Sequence, residues 1–221
     1  MPRQARIDAP GALHHVIARG IERCKIFRDN ADREDFLRRL GTLLPGTETR
    51  CYAWALIPNH FHLLLKTGNV PVATIMRRLL TGYAAGFNRR HRRNGHLFQN
   101  RYKSILCQED TYLTELVRYI HLNPLRARIV RDLETLDSYP YAGHGVLMGK
   151  QKVDWQTTDS VLTHFGSKLN HARIKYHDFV AEAVEQGRRP ELVGGGLIRS
   201  AGGWSGVQQL RKACMFQKSD E

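Results

Sequence analysis

The stretch from Cys51 to Lys66 constrains the fold most. It is rich in aromatic and aliphatic residues, and Pro58-Asn59 breaks it into two runs, Arg50 to Ile57 and Phe61 to Lys66. Proline donates no hydrogen bond to a sheet ladder and sits at strand ends or bends, so the stretch reads as two adjacent strands. Successive strand side chains point to opposite faces. In Asn59-His60-Phe61-His62 the two imidazoles therefore project from one face while Phe61 turns into the other. Two imidazoles side by side on a rigid strand are ready ligands for a divalent metal. The motif is short, however, and two histidines near a strand end also occur without any metal.

The flanking patterns alternate in kind. Gly11 to Ile21 reads as a first strand. A helix starts at Asn30-Ala31-Asp32, runs through Phe36, Leu37 and Leu40, and closes at Pro45-Gly46. Val70 to Arg90 is a second helix, because Met76, Leu79, Leu80, Tyr83 and Phe87 form one apolar stripe. His96 to Leu106 reads as a further strand or extended arm. Asp110 or Thr111 then caps a helix that must stop near Asn123, since Pro124 disfavours helical geometry in the residue before it. This order predicts an α+β fold of the ferredoxin-like type, an antiparallel sheet with helices on one face. Residues 1–132 are expected to form that domain. Residues 133–221 are expected to form a linker and a small, mainly helical extension, with the polar stretch Asp132 to Asp154 as the boundary. Helical patterns follow at Thr158–Phe165 and Asn170–Gln186, then a glycine-rich run from Gly194 to Gly203. That run lacks the Gly-Lys-Ser/Thr ending of a phosphate loop.

Charge narrows the partner. The formal net charge is +13, and residues 1–130 hold 22 Lys and Arg against 10 Asp and Glu, while residues 131–221 hold 12 against 11. Nearly all the excess sits with the His-x-His segment. A strongly basic domain of this kind most often meets nucleic acid, because each neutralised phosphate releases counterions. Arg77, Arg78, Arg89, Arg90, Arg92, Arg93, Arg101 and Lys103 are the candidate phosphate contacts; solvated cations and helix capping are the bland alternative. No apolar run approaches the ~20 residues of a membrane span, and Met1 to Pro10 lacks a secretory h-region. The four cysteines are scattered without a C-x-x-C pair, which points to a reducing cytoplasm.

The helix before Asn123 carries the remaining chemistry. Its apolar stripe is Leu113, Leu116, Val117 and Ile120, and Tyr119 and Asn123 fall together on one flank at i and i+4. A half-buried packing tyrosine and a helix-ending asparagine would look the same. Beside the histidines the pair has a sharper meaning. A metal held by two neutral imidazoles and an amide oxygen polarises a phosphodiester as a Lewis acid, and a tyrosine hydroxyl next to it can attack phosphorus and be held covalently.

Here the chain resembles a known family. His60-Phe61-His62 matches the HUH signature, in which U is hydrophobic. The run Arg118 to Ala127 (RYIHLNPLRA) resembles the tyrosine helix of the REP-associated tyrosine transposases, relatives of the single-tyrosine transposases of the insertion-sequence-200/605 type. Gly95 to Lys103 (GHLFQNRYK) and the opening His15-Val16 with Arg19-Gly20 add to it, so the resemblance spans roughly residues 7–145. Asn100 departs from the pattern where a glycine is expected. The resemblance implies a metal-dependent nuclease and strand transferase acting on single-stranded or hairpin DNA, with Mg2+ or Mn2+. It implies His60 and His62 as metal ligands, Tyr119 as the nucleophile forming a 5′-phosphotyrosine, and Asn123 in the place of a third ligand, where relatives often carry glutamine. His121 reads as structural or DNA-contacting. Tyr176–Glu182 and Leu192–Trp204 resemble an extension that continues further in some members, so a shortened chain is expected. Whether the site assembles within one chain or across a homodimer is left open. Two other classes compete: a non-catalytic nucleic-acid-binding regulator, and a small-molecule metal hydrolase. The lack of nearby carboxylates and the basic excess count against the hydrolase, and the aromatic pairs of RNA-recognition domains are missing.

Overall fold

The computed structural model describes residues 10–107 and 109–184. The expected cap at Asp110 or Thr111, the glycine-rich run and Leu192–Trp204 lie outside the described residues or side chains. Four strands, β1 (Leu13–Arg19), β2 (Arg50–Ile57), β3 (His60–Lys66) and β4 (Lys103–Cys107), form one sheet in the order β2-β3-β1-β4. Every neighbouring pair is antiparallel. The α+β class and the antiparallel sheet are thus as expected. The strand sought between His96 and Leu106 is shorter: residues 96–102 form a connection pinned to the end of β1 by Ile21 N–H to Leu97 C=O (3.0 Å) and Gln99 N–H to Arg19 C=O (2.9 Å).

The helices cover both faces of the sheet, not one. On one side α1 (Asn30–Leu43) and α2 (Val72–Arg90) bury Phe36, Leu40, Met76, Leu79 and Tyr83 against Val16, Ala18, Trp54, Phe61, Leu63 and Leu65. On the other, α3 (Glu109–His121) buries Leu113, Leu116, Val117 and Ile120 against Leu13, Ala53, Ala55, Leu64 and Ile105. The unbroken run Leu63-Leu64-Leu65 carries this information, because a strand apolar on both parities needs cover on both sides. A bulge between Cys51 and Ala53 bends β2 and lets Tyr52 and Ala53 both enter the α3-side core.

Residues past α3 fold back on the same side. α4 (Asn123–Arg126) is a single turn opened by Pro124, whose missing N–H costs nothing in a first turn. α5 (Leu133–Asp137) is capped by Asp132 in a reciprocal capping box with Thr135. α6 (His144–Leu147), α7 (Asp159–Leu162) and α8 (Leu169–Ala181) follow. Leu136, Leu147, Val161, Leu162, Tyr176 and Val180 join the α3-side core. The polar stretch Asp132 to Asp154 also covers the sheet edge, since Leu56 N–H donates to Tyr141 C=O and Gly143 N–H to Trp54 C=O, both at 2.9 Å.

Candidate active site on the α3 face of the sheet

Strand alternation and pairing decide who meets whom. His60 lies opposite Arg19, His62 opposite Ile17 and Leu64 opposite His15, so three imidazoles share the face that α3 covers. Phe61 anchors β3 in the opposite core. His60 sits half-buried just after the Pro58-Asn59 turn, and His62, only 3% exposed, lies deeper. Their ring centroids are 5.1 Å apart.

Each imidazole has one nitrogen engaged. His60 Nδ1 lies 2.7 Å from Asn59 Oδ1. A carbonyl oxygen only accepts, so His60 carries its proton on Nδ1 and keeps a lone pair on Nε2. His62 Nδ1 lies 2.9 Å from Nε2 of the fully buried His15. Burial, with the nearby Arg19 cation, pushes the His60 pKa down to about 4. Burial, followed by the neighbouring His15 and His60 rings and Arg19, holds His62 well below the ordinary histidine range. Both rings are therefore neutral at pH 7, the form in which imidazole donates to a metal. As a donor set, two fixed, neutral imidazoles with a partly open approach at His60 suit a divalent ion.

The α3 register brings Tyr119 to His62 and His15. Tyr119 is 8% exposed, and its ring stands edge-on to His15 (6.0 Å) and His62 (6.1 Å). Asn123 lies at the helix end, where its Nδ2 donates to Tyr119 C=O (2.9 Å) and Ile120 C=O (3.2 Å). Those carbonyls are orphaned at a helix C-terminus, so the amide closes the helix and leaves Oδ1 as its ligand-capable atom. The Arg126 guanidinium stacks over the Tyr119 ring at 5.1 Å. His121 points away, into a buried chain in which Tyr176 Oη lies 2.7 Å from His121 Nδ1 and 3.0 Å from His144 Nδ1. His144 Nε2 in turn meets Asp137 at 2.8 Å.

The candidate phosphate contacts divide by place. Arg77, Arg78 and Arg89 are exposed on α2, across the sheet from the histidines. Arg90 is held in ion pairs with Asp29 (2.6 Å) and Asp32 (3.1 Å), and Arg93 stacks over Phe87. Arg92 and Arg101 are exposed, and Lys103 lies opposite Ile17 at the edge of the histidine face. His15, Asn59, Arg19 and Arg126 border the site without having been singled out for it by periodicity; His15 and Arg19 entered the sequence reading only through the family-like opening of β1.

Asp29, Asp32 and His91 also place ligand-type atoms within 4.8 Å of one another. Their environment is that of a structural ion-pair cluster. Asp29 caps α1 through Asp32 N–H, Arg90 bridges both carboxylates, and His91 Nε2 meets both Asp32 oxygens at 2.9 Å.

A family model described as IS200-like transposase matches residues 10–123, a span containing all four strands, both histidines and Tyr119. The chain belongs to the IS200-like transposases. Its fold is similar to that of a REP-associated tyrosine transposase bound to a REP hairpin, at 16% identity and a TM-score of 0.55, covering 71% of this chain and 92% of that one. Two further solved structures overlap more loosely. One is a putative transposase from Deinococcus radiodurans R1, at 20% identity, 54% and 94% coverage and TM-score 0.36. The other is tRNA(His) guanylyltransferase from Saccharomyces cerevisiae, at 9% identity, 86% coverage of each chain and TM-score 0.38. Neither score bears on the fold. No curated protein matches the chain. Membership in the IS200-like transposases makes the protein a DNA-processing enzyme. No helix among the described residues is long and apolar enough to cross a membrane.

Proposed function

We propose that this IS200-like transposase is a metal-dependent single-stranded DNA endonuclease and strand transferase that works through a 5′-phosphotyrosine on hairpin-containing DNA. The observation that carries the reading is the packing of Tyr119 against His62, one of two adjacent neutral imidazoles whose Nδ1 atoms are both occupied. In this reading His60 Nε2 and His62 Nε2 hold the ion, with Asn123 Oδ1 as the third protein ligand. A bound Mg2+ or Mn2+ supplies Lewis-acid polarisation of a non-bridging phosphodiester oxygen. Tyr119 Oη attacks phosphorus and loses its proton to water or a base. The P–O bond to the departing 3′ oxygen breaks, leaving a free 3′-OH and the 5′ end on the enzyme. Reversal by another 3′-OH reseals a strand with no outside energy source. The REP hairpin in the structurally similar transposase supports hairpin DNA as the ligand class. The division into a catalytic unit over residues 1–132 and an extension over 133–221 belongs to the same proposal, supported by a family match that ends at residue 123.

Trapping a covalent adduct on a single-stranded hairpin oligonucleotide with Mn2+ tests it. Tyr119→Phe removes only a hydroxyl at a largely buried ring, so folding and DNA affinity are expected to stay and the adduct to vanish. The same change at Tyr112 or Tyr102 is expected to leave adduct formation intact. DNA mapped by mass spectrometry to either control, or an undiminished adduct in Tyr119→Phe, sinks the assignment.

A further inference from the structure

We infer that His15 is a positioning residue for the metal-binding pair: it accepts the Nδ1 proton of His62 and so reserves His62 Nε2 for a divalent ion. This rests on the proposed role of His60 and His62. The contact between His15 Nε2 and His62 Nδ1 is 2.9 Å long and sealed from solvent, with His15 fully buried and His62 nearly so. One proton lies between the facing nitrogens, so the neutral His62 has only two arrangements, donating from Nδ1 or accepting there. If His15 donates, His62 carries its own proton on Nε2 and has no lone pair to offer a cation. If His62 donates, Nε2 is bare and His15 is forced into its Nδ1–H tautomer. Tautomer choice at His62 is thus equivalent to readiness for metal.

One observation and one general rule favour the second arrangement. The neighbouring ligand His60 already has it, because Asn59 Oδ1 accepts its Nδ1 proton. Both candidate ligand nitrogens are then Nε2 atoms on one strand face, each set by a partner at its back. Metal-binding histidines ordinarily donate their other N–H in this manner, and loss of the acceptor costs about 10–100-fold in metal affinity. The pair is also confined. His15 and His62 lie nearly parallel, with centroids 5.2 Å apart and planes 27° apart, and the Tyr119 ring stands edge-on to both. The adjacent His14 cannot replace His15, since it faces the other side of β1 and bonds Ser104 Oγ through Nδ1 at 3.0 Å.

The test reads the tautomer and the affinity separately. Long-range 1H–15N spectra of the metal-free, full-length wild type are expected to show His62 with its proton on Nδ1 and His15 likewise. His62 protonated on Nε2 overturns the inference without any variant being made. Titration with Mn2+ alone, followed by calorimetry, is expected to show about 10–100-fold weaker binding in His15→Leu. His15→Gln places an amide oxygen near the lost Nε2 and is expected to recover most of that loss of about 10–100-fold. Equal Mn2+ affinity in wild type and a folded His15→Leu overturns the inference. If His15→Leu fails to fold, the wild-type tautomer and the His15→Gln affinity decide. His60→Ala serves as the reference for the underlying reading. Unchanged Mn2+ binding there removes the metal site itself, whereas lost binding in His60→Ala with intact binding in His15→Leu removes only the role given to His15.

Discussion

At the scale of single residues, the half-buried His60 and three buried histidines share one electrostatic commitment. His60, His62, His121 and His144 all have pKa values lowered, in each case chiefly by burial. A lowered histidine is neutral when folded and takes up its proton more readily when unfolded. Stability therefore falls as pH drops through the unfolded value of about 6.5, and continues to fall until the folded groups protonate, near 4 for His60. The lowered carboxylates act elsewhere. Desolvation works against the ionised forms of Asp35 and Asp137, but hydrogen bonds from Arg39 and Arg38, and from His144, hold both carboxyls below their ordinary value. Their contribution is complete above about pH 4 and disappears below it. The melting temperature of the metal-free protein is accordingly expected to decline between about pH 6.5 and about pH 5, ahead of any carboxylate titration. A flat melting temperature across that interval would show that these histidines are not buried as neutral rings. The shared strand face of His60 and His62 was legible from period-2 alternation, and the flank position of Tyr119 from the helical register of its apolar stripe, whereas their roles came only from the family resemblance. His15 was not legible, because its partner lies 47 residues away and no local pattern states the offset between β1 and β3.

The elements themselves were legible where punctuation was strong. Asp29 before Asn30 starts α1, Pro58-Asn59 forms the β2–β3 turn, and Pro124 separates α3 from the following turn. What the elements cover was less so. The stripes of α2 and α3 look alike in sequence, and assignment to opposite faces depends on which strand parity each meets. Near the site, Gly20 allows a close backbone approach. A Cβ there would lie 2.2 Å from Cys24 O and 2.9 Å from Ile26 Cγ2. Gly20 N–H also bonds Asn59 C=O at 2.9 Å, and Ile26 N–H bonds Pro58 C=O at 2.8 Å. The loop after β1 thus holds the turn that presents His60. Backbone oxygen cannot swing aside as a side chain does, so Gly20→Ala is expected to cost about 1–3 kcal/mol, the usual range for overpacking. It is also expected to weaken Mn2+ binding by displacing Asn59. Chemical denaturation and calorimetry measure the two effects. Unchanged stability in Gly20→Ala would mean that the loop has room the close approach denies.

At the scale of the whole molecule, the basic excess of residues 1–130 spreads over both sides of the sheet, and only part of it borders the histidines. Arg90 neutralises Asp29 and Asp32 and is already partnered. Arg77 and Arg78 face outward from α2, behind the sheet as seen from Tyr119. Lys103, at the start of β4, shares the face of His15 and His62, and Arg101 lies two residues before it. A single strand threaded past Tyr119 would meet the Arg101–Lys103 side first. Affinity for a single-stranded hairpin is expected to fall linearly with salt on a log–log plot, with a slope of roughly −0.7 per contacted phosphate. Replacing Arg101 and Lys103 together by alanine is then expected to flatten the slope by about 1.4, whereas Arg77→Ala with Arg78→Ala flattens it by less. Charge alone would make the two double variants equal, since each removes two cations from a chain of net charge +13. An equal loss for both pairs would therefore assign binding to a diffuse field around the protein, and a larger loss for the α2 pair would move the DNA path to the α1–α2 side, away from Tyr119.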